Sequence, residues 1–110
     1  MKYKINVART ATQDINRTTS YIMNQLKNPV AARSLLKNAI ACIDSLETLP
    51  ARHPIVDEPI LAAQQLRFVP VHGYLLFYRI DDTAQTVHVL RFLYGKSNWT
   101  AILKTDFSTT

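Results

Sequence analysis

The stretch YLLFYRI-DDTAQ-TVHVLRFLY, Tyr74 to Tyr94, decides how this chain folds. Tyr74–Ile80 and Thr86–Tyr94 are apolar runs rich in aromatic and β-branched residues, and the polar segment Asp81-Asp82-Thr83-Ala84-Gln85 separates them. That pattern predicts two antiparallel strands joined by a hairpin loop. Strands apolar on both sides are central ones, covered on both faces or left partly open for a partner. A register placing Ile80 opposite Thr86 puts Arg79, Val87, Phe77, Val89, Leu75 and Arg91 on one face. Tyr78, His88, Tyr74, His72 and Tyr94 then take the other, and a slip of one residue would mix the two sets.

Working back toward the N-terminus, Gln65 to Pro70 is expected to be a third strand, turning at Val71-His72-Gly73. Pro50, Pro54 and Pro59 make residues 50–63 an irregular loop with Asp57-Glu58 exposed. Before it, Ala32, Leu35, Leu36, Ala39, Ile40, Ile43 and Leu46 recur at helical spacing, predicting a helix from Val30 to Leu49 stopped by Pro50. Asn28-Pro29 suits its start: Asn caps, and Pro at the first helical position lacks only an N–H that would be unpaired anyway. Ile15, Thr19, Ile22 and Leu26 form the stripe of an earlier helix reaching about Lys27. Thr10 or Thr12 would cap it, and Asp14 would sit in its first turn facing the helix dipole. Lys2 to Ala8 alternates, with Tyr3, Ile5 and Val7 on one side, as a short half-buried strand does. It must enter the sheet beside a later strand. Toward the C-terminus, Ser97 or Asn98 caps a short helix containing Trp99, Ile102 and Leu103.

The expected architecture is therefore α+β: an N-terminal strand, an α-helical hairpin, a three-stranded antiparallel meander and a short C-terminal helix, with helices packed on one face of the sheet. Residues 1–104 make one domain and residues 105–110 a frayed tail. At 110 residues with 47% apolar content, the chain is long enough for a core without staples. Its two glycines, Gly73 and Gly95, cannot supply a glycine-rich phosphate cradle. Its one cysteine, Cys42, excludes a disulfide scaffold and a cysteine zinc site, and reads as a small buried hydrophobe. Neither paired-histidine metal spacing nor a nucleophile elbow occurs, so no metal or cofactor is expected. MKYKINVART has no apolar core of a signal peptide, and no apolar run is long enough to span a membrane. A cytoplasmic protein without membrane contact follows.

Thirteen Lys/Arg against eight Asp/Glu give +5 and a pI near 9.6, which suits an anionic partner. Between Ile60 and Thr105 the basic residues are Arg67, Arg79, Arg91, Lys96 and Lys104, with His72 and His88; only Asp81 and Asp82 oppose them there. Tyrosines, histidines and arginines crowding adjacent strands can stack on bases, grip phosphates or move protons in metal-free RNA cleavage. Equally, the aromatics can be core and the arginines rim.

The ordered set Asp14-Ile15, Tyr21-Ile22, Asn28-Pro29, Ala31-Ala32, Ser45-Leu46, Leu49-Pro50, Arg67-Phe68, His72-Gly73-Tyr74, Phe77-Tyr78-Arg79-Ile80-Asp81 and Val89-Leu90-Arg91-Phe92-Leu93-Tyr94-Gly95-Lys96, then Trp99, resembles the RelE/ParE superfamily over residues 3–104. The resemblance implies a toxin of a bacterial type II toxin–antitoxin (plasmid stabilisation) system, neutralised in a hetero-oligomer by an acidic cognate antitoxin. RelE-like members cleave mRNA on the ribosome with basic side chains and often a late tyrosine; ParE-like members poison DNA gyrase. On the RelE-like reading the catalytic candidates are Arg67, His72, Arg79, Arg91, Tyr94 and Lys96. On either reading Arg67, Arg79, Arg91 and Lys96 are candidates for binding antitoxin or target. In the nuclease branch a basic residue commonly follows the Gly-Tyr pair and others alternate on the preceding strand. Leu75, Leu66 and Phe68 stand there instead, and no tyrosine follows Tyr94. The resemblance therefore favours the ParE-like branch, with no catalytic residue assigned, over a ribosome-dependent endoribonuclease or a non-toxic antitoxin-binding module.

Overall fold

In the computed structural model, which describes residues 2–108, β1 (Lys4–Val7) leads into α1 (Arg9–Asn24) and α2 (Pro29–Ser45). A 3-10 turn (Pro50–Arg52) and the short α3 (Pro59–Ala63) follow, then β2 (Arg67–Val71), β3 (Tyr74–Asp81), β4 (Thr86–Tyr94) and α4 (Trp99–Ser108). The sheet order is β1-β4-β3-β2, with β1 parallel to β4 and the meander antiparallel. The N-terminal strand thus lies beside the last one, and α1 and α2 form the crossover that a parallel pair requires.

The β3–β4 register differs from the expected one. Asp81, not Ile80, pairs with Thr86, because Asp81 Oδ1 accepts from Ala84 N and Gln85 turns the chain at φ 51°. The pairing then shifts between Phe77 and Tyr78: Tyr78 faces Val89, Phe77 faces Arg91, and Leu90 is left between them as a bulge. Val87 and Val89 consequently join Tyr78, Leu76 and Ile80 on one face, while His88 pairs with Arg79 on the other.

Both faces are covered. Ala11, Ile15, Ile22, Ala32, Leu35, Ala39, Ile43 and Leu46 of the helical hairpin pack on Val71, Leu76, Tyr78, Val87, Val89 and Phe92. On the opposite face Val56, Leu61, Leu66, Phe77, Leu93 and Leu103 form a second core, with Phe68, Leu75, Leu90, Trp99, Ile102 and Phe107 packed against it. This second layer carries α4 beyond Lys104, where a frayed tail was expected. Phe107 is anchored, and the Arg79 guanidinium lies 5.7 Å from its ring centroid. Residues 109–110 of that expected tail lie outside the described residues.

The helix ends also differ. Asn28 caps α2 as expected, its side chain accepting from Ala31 N with Pro29 next. No side chain caps α1 at Ala8, and α1 stops at Asn24. Thr10 instead donates its hydroxyl to Leu90 O, tying the helix start to β4. Leu26, Leu36 and Ile40 of the expected stripes are exposed. Helix α2 ends at Ser45, four residues before Leu49. Beyond it the Arg52 guanidinium donates to the helix's last carbonyl at Ser45 and to the carbonyls of Thr48 and Leu49 that follow. The proline-rich loop is partly helical, since Glu58 Oε1 accepts from Ile60 N and Leu61 N and starts α3 at Pro59.

Candidate functional site

The strand ends that follow the tight turn between β2 and β3 build one wall of an open cleft. His72 (φ 49°) and Gly73 (φ 85°) both adopt left-handed conformations, the geometry of a two-residue hairpin turn. Gly73 O then accepts from Gly95 N at 2.9 Å, and a Cβ on Gly95 would lie 2.9 Å from that oxygen, so the end of β4 can close only on glycine. Tyr74 and Tyr94 pair across the strands with their rings tilted by 56° and centroids 5.4 Å apart, and Tyr74 stacks on Phe92 at 5.2 Å. The other wall is α1, contributing Arg17, Thr18, Tyr21 and, just past its end, Leu26; Ser97 and Ile102 complete an open cleft of about 640 Å³. Tyr21, Leu26 and Tyr94 remain 53%, 56% and 47% exposed. An open apolar cleft rimmed by tyrosines and an arginine can take up apolar side chains of a partner.

The cleft floor is rigid. Asp14, 2% exposed, accepts from Arg91 Nε at 2.7 Å, Arg91 Nη2 at 3.0 Å and Phe92 N at 3.0 Å. Arg91 also donates to Asp106 of α4, at 3.1 Å for the shorter bond. One guanidinium therefore joins α1, β4 and α4 through a bidentate bond and a second pair. Hydrogen bonding to Asp14 is the main cause that raises the Arg91 pKa above its ordinary value.

The candidate residues named from sequence do not converge. Arg91 is an internal ion-pair partner, not an exposed binding group, because its donors are spent on Asp14 and Asp106. Arg67 turns into the protein and donates to Ala51 O and His53 O, holding the loop against β2. Burial is the main cause that lowers the pKa of His53 in that loop, and Arg52 and Arg67 add to it. Arg79 is exposed over Phe107, opposite His88 in the ladder. His72 is exposed in its turn. Tyr94 lines the cleft, and the exposed Lys96 follows it in the β4–α4 connection. Among the described residues no group of three His, Cys, Asp or Glu could hold a metal ion, and no helix is long and apolar enough to cross a membrane.

Of the cleft's lining residues only Tyr94 was a site candidate from sequence; those missed include Asp14, Arg17 and Tyr21 of α1. For Asp14 a signal existed. It lies three residues after Ala11 and one before Ile15, on the buried stripe, where a carboxylate requires a cationic partner. Arg17 and Tyr21 flank that stripe and carry no comparable mark.

Comparison with known proteins agrees with this fold. A family model described as the ParE toxin of the type II toxin–antitoxin system parDE matches residues 5–99. A chromosomal ParDE system from P. aeruginosa superposes with a TM-score of 0.67 at 12% identity, covering 84% of this chain and 96% of that one. The RelBE2 toxin–antitoxin complex of Mycobacterium tuberculosis gives 0.57 at 21% identity, with 86% and 99% covered. The isolated E. coli RelE toxin gives 0.52 at 16% identity, with 94% and 97% covered. No curated protein sequence matched. With the family model spanning nearly all of the fold and these structures sharing its topology, the chain belongs to the ParE toxin family of type II toxin–antitoxin systems.

Proposed function

We propose that this toxin arrests growth by inhibiting DNA gyrase, in the cytoplasm, and that an acidic antitoxin neutralises it by seating apolar side chains in the Tyr21–Tyr74–Tyr94 cleft. The observation that carries the gyrase reading is the packing of Leu66, Phe68 and Leu75. At these positions the nuclease branch places basic groups. Here Leu66 is buried in the second core, and the partly buried Phe68 and Leu75 pack against it. These positions therefore offer an RNA phosphate apolar packing surface and no cation. Two of the four basic candidates, Arg67 and Arg91, already bond to backbone carbonyls and carboxylates, which leaves Arg79 and Lys96 exposed.

The cleft supports the antitoxin reading through its open apolar surface and through Arg17, whose side chain is largely exposed at the rim. Apolar anchors supply most of the affinity in such a contact, and charge mainly speeds encounter. Purified toxin is expected to block supercoiling by gyrase, and inducing it in cells to trigger a DNA-damage response. Codon-positioned mRNA breaks with gyrase unaffected would replace this reading with ribosome-dependent cleavage. Normal growth with folded toxin present would leave an antitoxin-binding module.

A further inference from the structure

Strand pairing places Asn6, His88 and Arg79 in one row across β1, β4 and β3. Arg79 differs from the arginines that the fold consumes. Arg52, Arg67 and Arg91 spend their donors on carbonyls or carboxylates. Among the described residues no ion pair or hydrogen bond engages the Arg79 guanidinium. It rests instead over the Phe107 ring, 5.7 Å from the centroid, a contact that orients the group and leaves its N–H donors unused.

His88 supplies a second donor. Asn6 Nδ2 can only donate, so at 3.0 Å His88 Nδ1 accepts and the ring proton sits on Nε2. Arg79 and His88 are direct cross-strand neighbours, close enough to act on one group. Both line a concave pocket of about 430 Å³, together with the exposed Gln65 and the partly buried Ile80 and Leu90. The pocket shares no residue with the tyrosine-lined cleft. The cleft uses the end of β4, at Phe92, Leu93 and Tyr94, whereas the pocket uses its beginning, at His88 and Leu90.

Charge selects the occupant. Arg79 brings one cation, and Asp81 and Asp82 line the same pocket, their Oδ1 atoms accepting from Ala84 N and the Tyr3 hydroxyl. Two fixed carboxylates beside one guanidinium disfavour a nucleic acid strand, whose successive phosphates would meet them. A single carboxylate fits better. The guanidinium fork matches its two oxygens, His88 Nε2 adds a donor, and Ile80 and Leu90 give its methylene stem an apolar surface. We infer that the Arg79–His88 pocket binds a glutamate or aspartate side chain of the acidic antitoxin, as a second contact separate from the cleft. The inference rests on the reading that such an antitoxin neutralises this toxin.

Two measurements test it. On the toxin alone the probe is propionate. At neutral pH it should shift the NMR signals of the Arg79 Nε–H and the His88 ring, inorganic phosphate at equal ionic strength should shift them less, and Arg79→Gln should abolish the response. On the complex the partner is the acidic protein encoded beside the toxin gene. Its Kd should rise roughly tenfold for Arg79→Gln and about a hundredfold for Arg79→Glu, where like charges meet. Melting temperatures should stay close to that of the wild type, because Arg79 is exposed. Arg79→Lys keeps the cation without the fork and should recover only part of the affinity. It also supplies the comparison should Gln perturb folding. A larger response to phosphate than to propionate overturns the inference, as does unchanged antitoxin affinity in folded Arg79→Gln. Loss of gyrase inhibition at unchanged antitoxin affinity overturns it too and gives the pocket to the target. If the adjacent protein does not bind the wild type, the antitoxin reading fails, and the propionate titration still decides whether the pocket takes a carboxylate.

Discussion

On one face of the sheet, two long helices bury Leu76, Tyr78, Val87 and Val89 but leave one end open as a tyrosine-lined cleft. On the other face, a ten-residue helix covers Leu75, Phe77 and Leu93 and is tied down by Arg91–Asp106 and Lys104–Glu58. A helix that short is marginal alone in water, so α4 depends on its docking. The contrast shows where partners can act. The hairpin face offers its cleft without unfolding anything, whereas the apolar core beneath α4 opens only if its helix leaves. This is why Leu75 and Phe77 of β3 serve as packing for α4, while the open tyrosine-lined cleft lies at one end of the helical hairpin.

Breaking the shared strut should have the largest effect, because it belongs to both faces. Asp14→Ala leaves the Arg91 guanidinium with only Asp106 and removes the acceptor of Phe92 N. Removing one partner of a buried pair costs about 3–5 kcal/mol. Denaturant unfolding should show that loss. A loss below about 1 kcal/mol would mean that water reaches Arg91 and that the two faces are not coupled through it.

Trp99→Ala tests the α4 face alone. The indole lies 5.2 Å from the Phe77 ring but is only partly buried, so the expected loss is about 2–3 kcal/mol, below that of a fully buried tryptophan. If Leu75 and Phe68 are shielded only by α4, the variant should also bind an apolar dye that the wild type excludes. No dye binding would show that the second core stays closed without its tryptophan.

These two residues mark where the sequence was legible. Trp99 stands beside its own helix cap in an apolar segment, so its anchoring role can be read locally. Asp14 and Arg91 lie 77 residues apart, and no periodicity links them. The same division runs through the fold. The β3 and β4 strands, the Asn28-Pro29 break and the helical hairpin rest on local patterns and appear as expected. The register depends on the Leu90 bulge, and the persistence of α4 depends on Phe107 finding the second core; both are decided by distant packing. The cleft was half visible. Tyr74 and Tyr94 lie on legible strands, but their α1 wall becomes evident only once the helix is placed.

On the open face, Tyr21→Ala should barely change stability, by about 0.5 kcal/mol, because a half-exposed helix residue makes few contacts to lose. Its effect should appear in antitoxin neutralisation: co-expression should rescue growth less completely than for the wild type. A large stability loss with normal neutralisation would make Tyr21 a packing residue and leave the cleft without a role.

The smallest effect concerns the tie between α3 and α4, and pH reveals it. Lys104 Nζ lies 2.8 Å from Glu58 Oε2, and this bond is the main cause that lowers the Glu58 pKa below its ordinary value. A carboxylate with a lowered folded-state pKa stabilises the fold at pH values above the ordinary carboxylate range. That contribution is lost as pH falls through the folded-state value. Glu58→Gln keeps an oxygen that can accept from Ile60 N and Leu61 N, so the α3 cap survives while the charge is removed. The wild type should therefore melt slightly higher than the variant at neutral pH, and the two curves should meet once Glu58 is protonated in acid. High salt should narrow the neutral-pH gap, since the pair is exposed enough to be screened. A gap that persists unchanged into strong acid would show that the substitution disturbs the cap itself, and the ion pair would then contribute nothing to holding α4 on its face.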